Sequence, residues 1–114
     1  MSIVNITVEN DADFYCVFQY QTVSGVPIDI TGMSMVMMLR RRAADETALL
    51  RLGTDTGEIV LVDPVNGKFT VRIMQATLEV LGLGEFDHSN VMSSGGYKRS
   101  VWTGKLINNP GASR

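Results

Sequence analysis

Hydrophobic and polar side chains alternate along most of this chain with a period of two, the repeat of a half-buried β-strand rather than of a helix. In "FYCVFQYQ" one face carries Phe14, Cys16, Phe18 and Tyr20, and the other carries Tyr15, Val17, Gln19 and Gln21. "MSMVMMLR" sets Met33, Met35, Met37 and Leu39 against Ser34, Val36, Met38 and Arg40. "EIVLV" and "KFTVRI" alternate in the same way, with Ile59 and Leu61, then Phe69, Val71 and Ile73, on the apolar faces. In "YKRSVWTGKLI" the period puts Ser100, Trp102, Gly104 and Leu106 together, opposite Val101, Thr103 and Lys105. Shorter strands are expected over Ile3 to Val8, Leu49 to Leu52 and Gly84 to Ser89.

Turn residues separate these runs. "DPVNG" (Asp63 to Gly67) joins a Pro-bearing turn to Asn-Gly, a pair that tolerates positive φ in a tight hairpin, and "SSGGY" marks a second reversal. "GVPIDITG" (Gly25 to Gly32) reads as a shaped connection. Pro27 suits a turn or edge, and Asp29 and Thr31 can bond nearby backbone N–H groups. No Lys-Ser or helix pattern follows Gly32, as a phosphate loop would require. Only "MQATLEVLGLG" departs from the two-residue period. It predicts one short helical turn near residues 75–81, with Thr77 as cap and Gly82 or Gly84 as terminator. Short strands at regular spacing between turn signals predict an all-β fold, an antiparallel Ig-like β-sandwich of about seven to eight strands. The expected organisation is one domain over residues 1–110 and a flexible tail over residues 111–114.

One strand in this pattern is unusual. The Met33–Arg40 run is apolar on one face and carries Val36 and Met38 on the other, so it needs cover on both sides. In a two-layer sandwich, the outer cover has to come from a loop, a helix or another chain. Charge adds a second hint. The net charge is only -2, yet residues 1–39 contain no Lys or Arg, and residues 98–114 contain no Asp or Glu. Either the first and last strands lie side by side and their charges offset, or opposite ends of neighbouring copies meet in a charge-set register. The longest apolar run, "MVMML", is far too short for a membrane span, and the opening decapeptide lacks a signal-peptide pattern.

Candidate chemistry is sparse. His88 is the only histidine and Cys16 the only cysteine, so a transition-metal site would rest on one imidazole and carboxylates. In the polar stretch "EFDHSN", His88 reads as a solvated strand-end residue, although Asp87 beside it leaves a metal-dependent hydrolase to be considered. "ENDAD" could hold calcium in a loop but lacks EF-hand spacing. Arg40, Arg41 and Arg42 alternate in direction within a net acidic chain, with no aromatic platform between them. They favour a strand terminus over a nucleic-acid surface. No catalytic set, cofactor motif or metal motif is assigned. The expected interaction surface is Val36, Met38, Arg40, Arg41, Arg42, Lys98 and Arg99.

The order of these signals resembles small phage and prophage virion proteins, in particular the N-terminal Ig-like domain of siphophage upper-baseplate proteins. The resemblance runs through "DADFYCVFQY", "GVPIDITGMSMVMMLRRR", "GEIVLV", "GKFTVRI", "ATLEVLGLGEFDHS" and the closing "GYKRSVWTGKLINNPGASR", with Ile30 and Phe86 departing from the family's usual Leu and Tyr. It implies a non-enzymatic structural or assembly protein of a tail, baseplate, connector or head accessory. Other virion proteins and further copies of itself would be the partners, without cofactor or membrane. It would reside in the virion, or in the host cytoplasm during assembly. The alternative is a sandwich that binds carbohydrate or another cell-surface ligand. That reading requires Tyr15, Tyr97 and Trp102 to stack openly on one face.

Overall fold

The computed structural model describes residues 2–113, without the side chain of Ser2; Met1 and Arg114 lie outside the description. The strands are β1 (Ser2–Ile3), β2 (Ile6–Glu9), β3 (Phe14–Gln19), β4 (Ser34–Arg40), β5 (Leu50–Gly53), β6 (Ile59–Asp63), β7 (Lys68–Ile73), β8 (Gly84–Ser94) and β9 (Tyr97–Asn109). One helix, α1 (Gln75–Leu81), links β7 to β8. The strands form two sheets. The larger runs β1-β9-β8-β4-β5, with β2 also on β9, and the smaller runs β3-β7-β6. The fold is therefore an all-β sandwich. Two pairings depart from the antiparallel expectation: β1 and β2 both run parallel to β9.

The inward faces follow the two-residue period and meet in one core. Met35, Met37 and Leu39 of β4 and Phe86 of β8 close against Phe69, Val71 and Ile73 of β7, with Ile6, Val8 and Leu106 at one side. Trp102 sits at the centre of an aromatic group, its ring centroid 4.8 Å from Phe18 and 5.6 Å from Phe69. Offset and tilted rings of this kind hold a core in one arrangement, beyond what their buried area contributes.

The period fails at one place. In the β8–β9 ladder Asn90 pairs with Trp102 but Val91 pairs with Ser100, which leaves Val101 without an opposite residue. This bulge resets the alternation, because one extra residue exchanges the faces of everything beyond it. Ser100 and Lys98 consequently share the outer face with Thr103 and Lys105. Trp102 points inward, and Val101 is buried as well. The expected grouping of Ser100 with Trp102 is corrected by that single inserted residue.

The connections also refine the reading. "GVPIDITG" is a tie between the two sheets. Ile28 N donates to Tyr20 O at 3.0 Å, Ile30 N donates to Pro64 O at 2.8 Å, and the Ile30 side chain is fully buried. Asp29 Oδ1 accepts from Thr31 N at 2.9 Å and from Thr31 Oγ1 at 2.5 Å, fixing the bend. The Asp63–Gly67 reversal is a 3₁₀ turn over Pro64–Asn66, and only Gly67, at φ 71°, is left-handed. At Gly95 and Gly96 both residues have positive φ, 57° and 88°, as a two-residue hairpin joining Ser94 to Tyr97 requires. Thr77 does not cap α1. The helix starts at Gln75, whose N–H donates to Asp13 Oδ1 at 2.7 Å, so the cap comes from the distant β2–β3 turn.

After β9 the chain bonds to the same turn. Gly111 N donates to Asn10 Oδ1 at 2.9 Å, and Ser113 N donates to Asp11 Oδ2 at 3.2 Å. These bonds fall within the 111–114 segment expected to form a flexible tail; Arg114 lies outside the described residues.

Candidate interaction surface

The outward residues of the large sheet form an open groove of about 810 Å³. Its floor is set by register. Val36 on β4 lies opposite Val91 on β8, Met38 lies opposite Ser89, and Ser89 lies opposite Thr103 on β9. Ile3 on β1 lies opposite Thr103 and extends the apolar floor at the sheet edge. Arg40, Arg51, Lys98 and Lys105 also line the groove, with Asp87 as the only carboxylate among its lining residues. The surface is thus apolar at its centre and predominantly cationic around it.

The charged groups differ in how they are used. Lys105 Nζ lies 2.8 Å from Asp87 Oδ1 and 3.3 Å from Glu85 Oε1. The Lys105 ammonium, followed by the Ala43 N–H at 2.9 Å from Oδ2, holds the Asp87 carboxyl below its ordinary range. Asp87 in turn raises Lys105, with Glu85 contributing less. Arg51 pairs with Asp55 at 3.1 Å. Arg40 instead donates from Nη1 to two backbone carbonyls, Asp45 O at 3.1 Å and Glu46 O at 2.7 Å. Neither Arg40 nor Lys98 forms an ion pair with a carboxylate among the described residues.

Of the seven residues expected to form a surface, Val36, Met38, Arg40 and Lys98 are brought together. Arg41 and Arg42 leave the strand. Arg41 lies 4.2 Å from the Phe86 ring centroid, and Arg42 N donates to Asp45 Oδ2 at 3.1 Å within the next loop. Arg99 lies opposite the inward-facing Met92, so it belongs to the other face of the β8–β9 hairpin. Ile3, Arg51, Val91 and Lys105 were not anticipated. The alternation of Lys105 is visible in the sequence, whereas Val91 lies beyond the strand expected over Gly84 to Ser89, and the strand order that sets all four near β4 is not visible there.

His88 is not a solvated strand-end residue. It points inward from the middle of β8 and is only 4% exposed. Trp102 Nε1 donates to His88 Nδ1 at 3.1 Å, so the neutral ring carries its proton on Nε2. Nε2 closes no hydrogen bond of ordinary geometry. Burial lowers the His88 pKa below the ordinary histidine value, outweighing the Lys105 and Val4 backbone carbonyls and the Asp87 charge, which favour the protonated ring. Asp87 and His88 occupy opposite faces of β8 and do not converge. In "ENDAD", Asp11 and Asp13 accept backbone N–H groups. Among the described residues no group of three or more His, Cys, Asp or Glu is disposed to hold a metal ion.

An open aromatic platform does not form either. Trp102 is buried, while Tyr15 and Tyr97 are exposed on different sheets. Among the described residues no Phe, Tyr or Trp lines the groove.

No family model matches the chain, and no curated protein matches it. Among solved structures it is similar to the N-terminal domain of phage TP901-1 ORF48, with a TM-score of 0.56 and 18% sequence identity. The match covers 95% of this chain and 85% of that one. At that identity the likeness is one of fold: nearly the whole chain adopts the sandwich found in a phage protein domain.

Proposed function

We propose that this protein is a structural, non-enzymatic part of a phage or prophage particle, of a tail, baseplate, connector or head accessory, and that it acts through contacts between subunits. The observation that carries the reading is the outer face of the large sheet. Val36, Met38 and Val91 form an apolar floor on a surface that one chain leaves open, and burying such a floor against a partner is favourable by about 25 cal/mol per Å² of apolar area. The fold likeness to a phage domain supports the same class. Other virion proteins and further copies of the chain are the partners that this surface suits. The ionic cluster on it, Lys105 with Asp87 and Glu85, is internally paired and positions the β4–β5 loop through Ala43. It is better suited to shaping a surface than to catalysis. The carbohydrate-binding alternative is disfavoured because Trp102 is buried and no aromatic ring from Phe, Tyr or Trp lines the groove.

Mass spectrometry of gradient-purified particles tests the proposal. The chain should be present in fixed stoichiometry with the other structural proteins, and a Met38→Glu protein, folded when purified, should fail to incorporate. Absence of the chain from purified particles would refute the proposal.

A further inference from the structure

The groove is cationic and apolar, and the α1 end of the same molecule has the complementary character. The β2–β3 turn and α1 are bound together there. Gln75 N donates to Asp13, Gln75 Nε2 donates to Asn10 O at 3.0 Å and to Glu79 Oε1 at 2.6 Å, and Asn108 Nδ2 donates to Leu78 O at 2.9 Å. Glu9, Asp11, Asp13 and Glu79 gather at this end, with no Lys or Arg in residues 1–39 or 73–97; Arg41 borders it, its Nη1 donating to Glu85 O at 3.4 Å and its guanidinium over the Phe86 ring. Exposed apolar side chains project among them: Val80 is 89% exposed and Leu83 48%. This end is a short helical knob, acidic and apolar.

The knob adjoins the Arg40 end of its own groove, where Arg40 stands opposite Asp87 close to Gly84, and lies far from the Lys98 end. Glu9 lies opposite Asn109 at one end of β9, whereas Lys98 stands near the other. The eleven steps from Lys98 to Asn109 span about 36 Å at ~3.3 Å per residue, close to the 39 Å long axis of the molecule. Between Glu9 and Lys98 the charge segregation seen in the sequence is a polarity along β9. The first and last strands do lie side by side, with Glu9 at the Asn109 end, Lys98 near the other end, and Lys105 between them paired with Asp87 and Glu85 of β8.

Resting on the structural role proposed above, we infer that the occupant of the groove is a second copy of this chain, whose acidic α1 knob seats on Val36, Met38 and Val91 between Arg40 and Lys98. Val80 and Leu83 meet the apolar floor, and Glu79 and Glu9 meet Arg40 and Lys98, neither of which forms an ion pair among the described residues. Two different patches make this contact, so it is head-to-tail and generates a ring or a filament according to the rotation between copies.

Sedimentation velocity of the full chain alone, across concentration and at about 50 and 500 mM salt, tests the inference, since salt screens such a contact. The wild-type protein should self-associate, at least about tenfold more weakly at the higher salt. Lys98→Glu with Met38→Glu, and separately Glu9→Lys with Glu79→Lys, should each sediment as folded monomers. An equimolar mixture of the two should associate again, because each supplies the surface the other has lost. A monomeric wild type would overturn the inference and leave the face to a different virion protein. A knob variant that associates as the wild type does would overturn it in favour of groove-to-groove pairing. Neither result depends on whether the chain is found in particles, so the structural role stands or falls separately.

Discussion

Lowering the pH through the histidine range should weaken the fold, and the effect should come from one residue. His88 is buried, and its Nδ1 accepts the indole N–H of Trp102 at 3.1 Å. Protonation turns that acceptor into a donor facing a donor and places a charge in the core. The folded state therefore binds this proton less readily than the unfolded chain does, in keeping with the lowered pKa caused first by burial. Where the unfolded chain binds more protons, stability rises with pH. Stability is then full above the ordinary histidine value of 6.5 and falls as pH drops below it. The loss is limited to one proton, about 1.4 kcal/mol per pH unit. The carboxyls held below their ordinary values behave differently. Asp87 is held by Lys105, Asp55 by Arg51 and Asp29 by Thr31. At Glu58 burial is outweighed by the Thr56 hydroxyl and the Gly53 N–H. Their contributions are present above their unfolded values of 3.8 to 4.5 and are lost only as pH falls through lower folded values. The window from about pH 5 to 6.5 thus belongs to the sole histidine. Urea unfolding followed by the fluorescence of the single tryptophan, at pH 5.5, 6.5 and 7.5, should show the midpoint falling with pH in the wild type and flat in His88→Gln. An equal slope in both proteins would refute the reasoning.

Other consequences can be measured in the same way. Asn90 is fully buried, and among the described residues its Oδ1 has no hydrogen-bond partner while its Nδ2 reaches Met35 Sδ at 3.9 Å. Asn90→Leu should therefore leave stability unchanged or raise it by about 1 kcal/mol in urea unfolding, and a large loss would show that the amide is satisfied. Gly104 faces the Val4 carbonyl so closely that a Cβ would collide with it, and Gly104→Ala should cost about 1–3 kcal/mol by displacing the β1–β2 edge, visible as faster hydrogen exchange at Val4 and Lys105. Met37→Ala, in the core, should cost about 2–5 kcal/mol, while Met38→Ala, one residue on, should cost about 1 kcal/mol or less in the free subunit. Equal losses at these two neighbours would contradict the assignment of faces to β4.

Much of the sandwich was legible because the two-residue period records directly which side chains face the core. Met35, Met37 and Leu39, and Phe69, Val71 and Ile73, all point inward as the alternation requires. The bulge at Val101 was not legible, since an extra residue in a strand leaves the hydrophobic pattern locally ambiguous, with Val101 and Trp102 both apolar and adjacent. The environment of His88 escaped for a related reason. The polar "EFDHSN" conceals a strand whose inner face carries His88 and Asn90, where Trp102 on the neighbouring strand donates to His88 Nδ1. The surface was half legible. Val36 and Met38 announced a strand needing a second cover, but β1, β8 and β9 complete the groove through pairings between residues far apart in sequence, which no local pattern encodes. Arg99 was misplaced for the same reason: its face depends on register with Met92.

The central claim is that Met38, on the outer face of the large sheet, is covered when the subunit is assembled. Hydroxyl-radical footprinting reads this at the thioether itself, because methionine oxidises readily when solvent reaches it. Oxidation of Met38 should fall by about tenfold or more between the free subunit and the assembled particle, with the exposed Met74 as an internal comparison. Equal oxidation of Met38 in the two states would contradict the account.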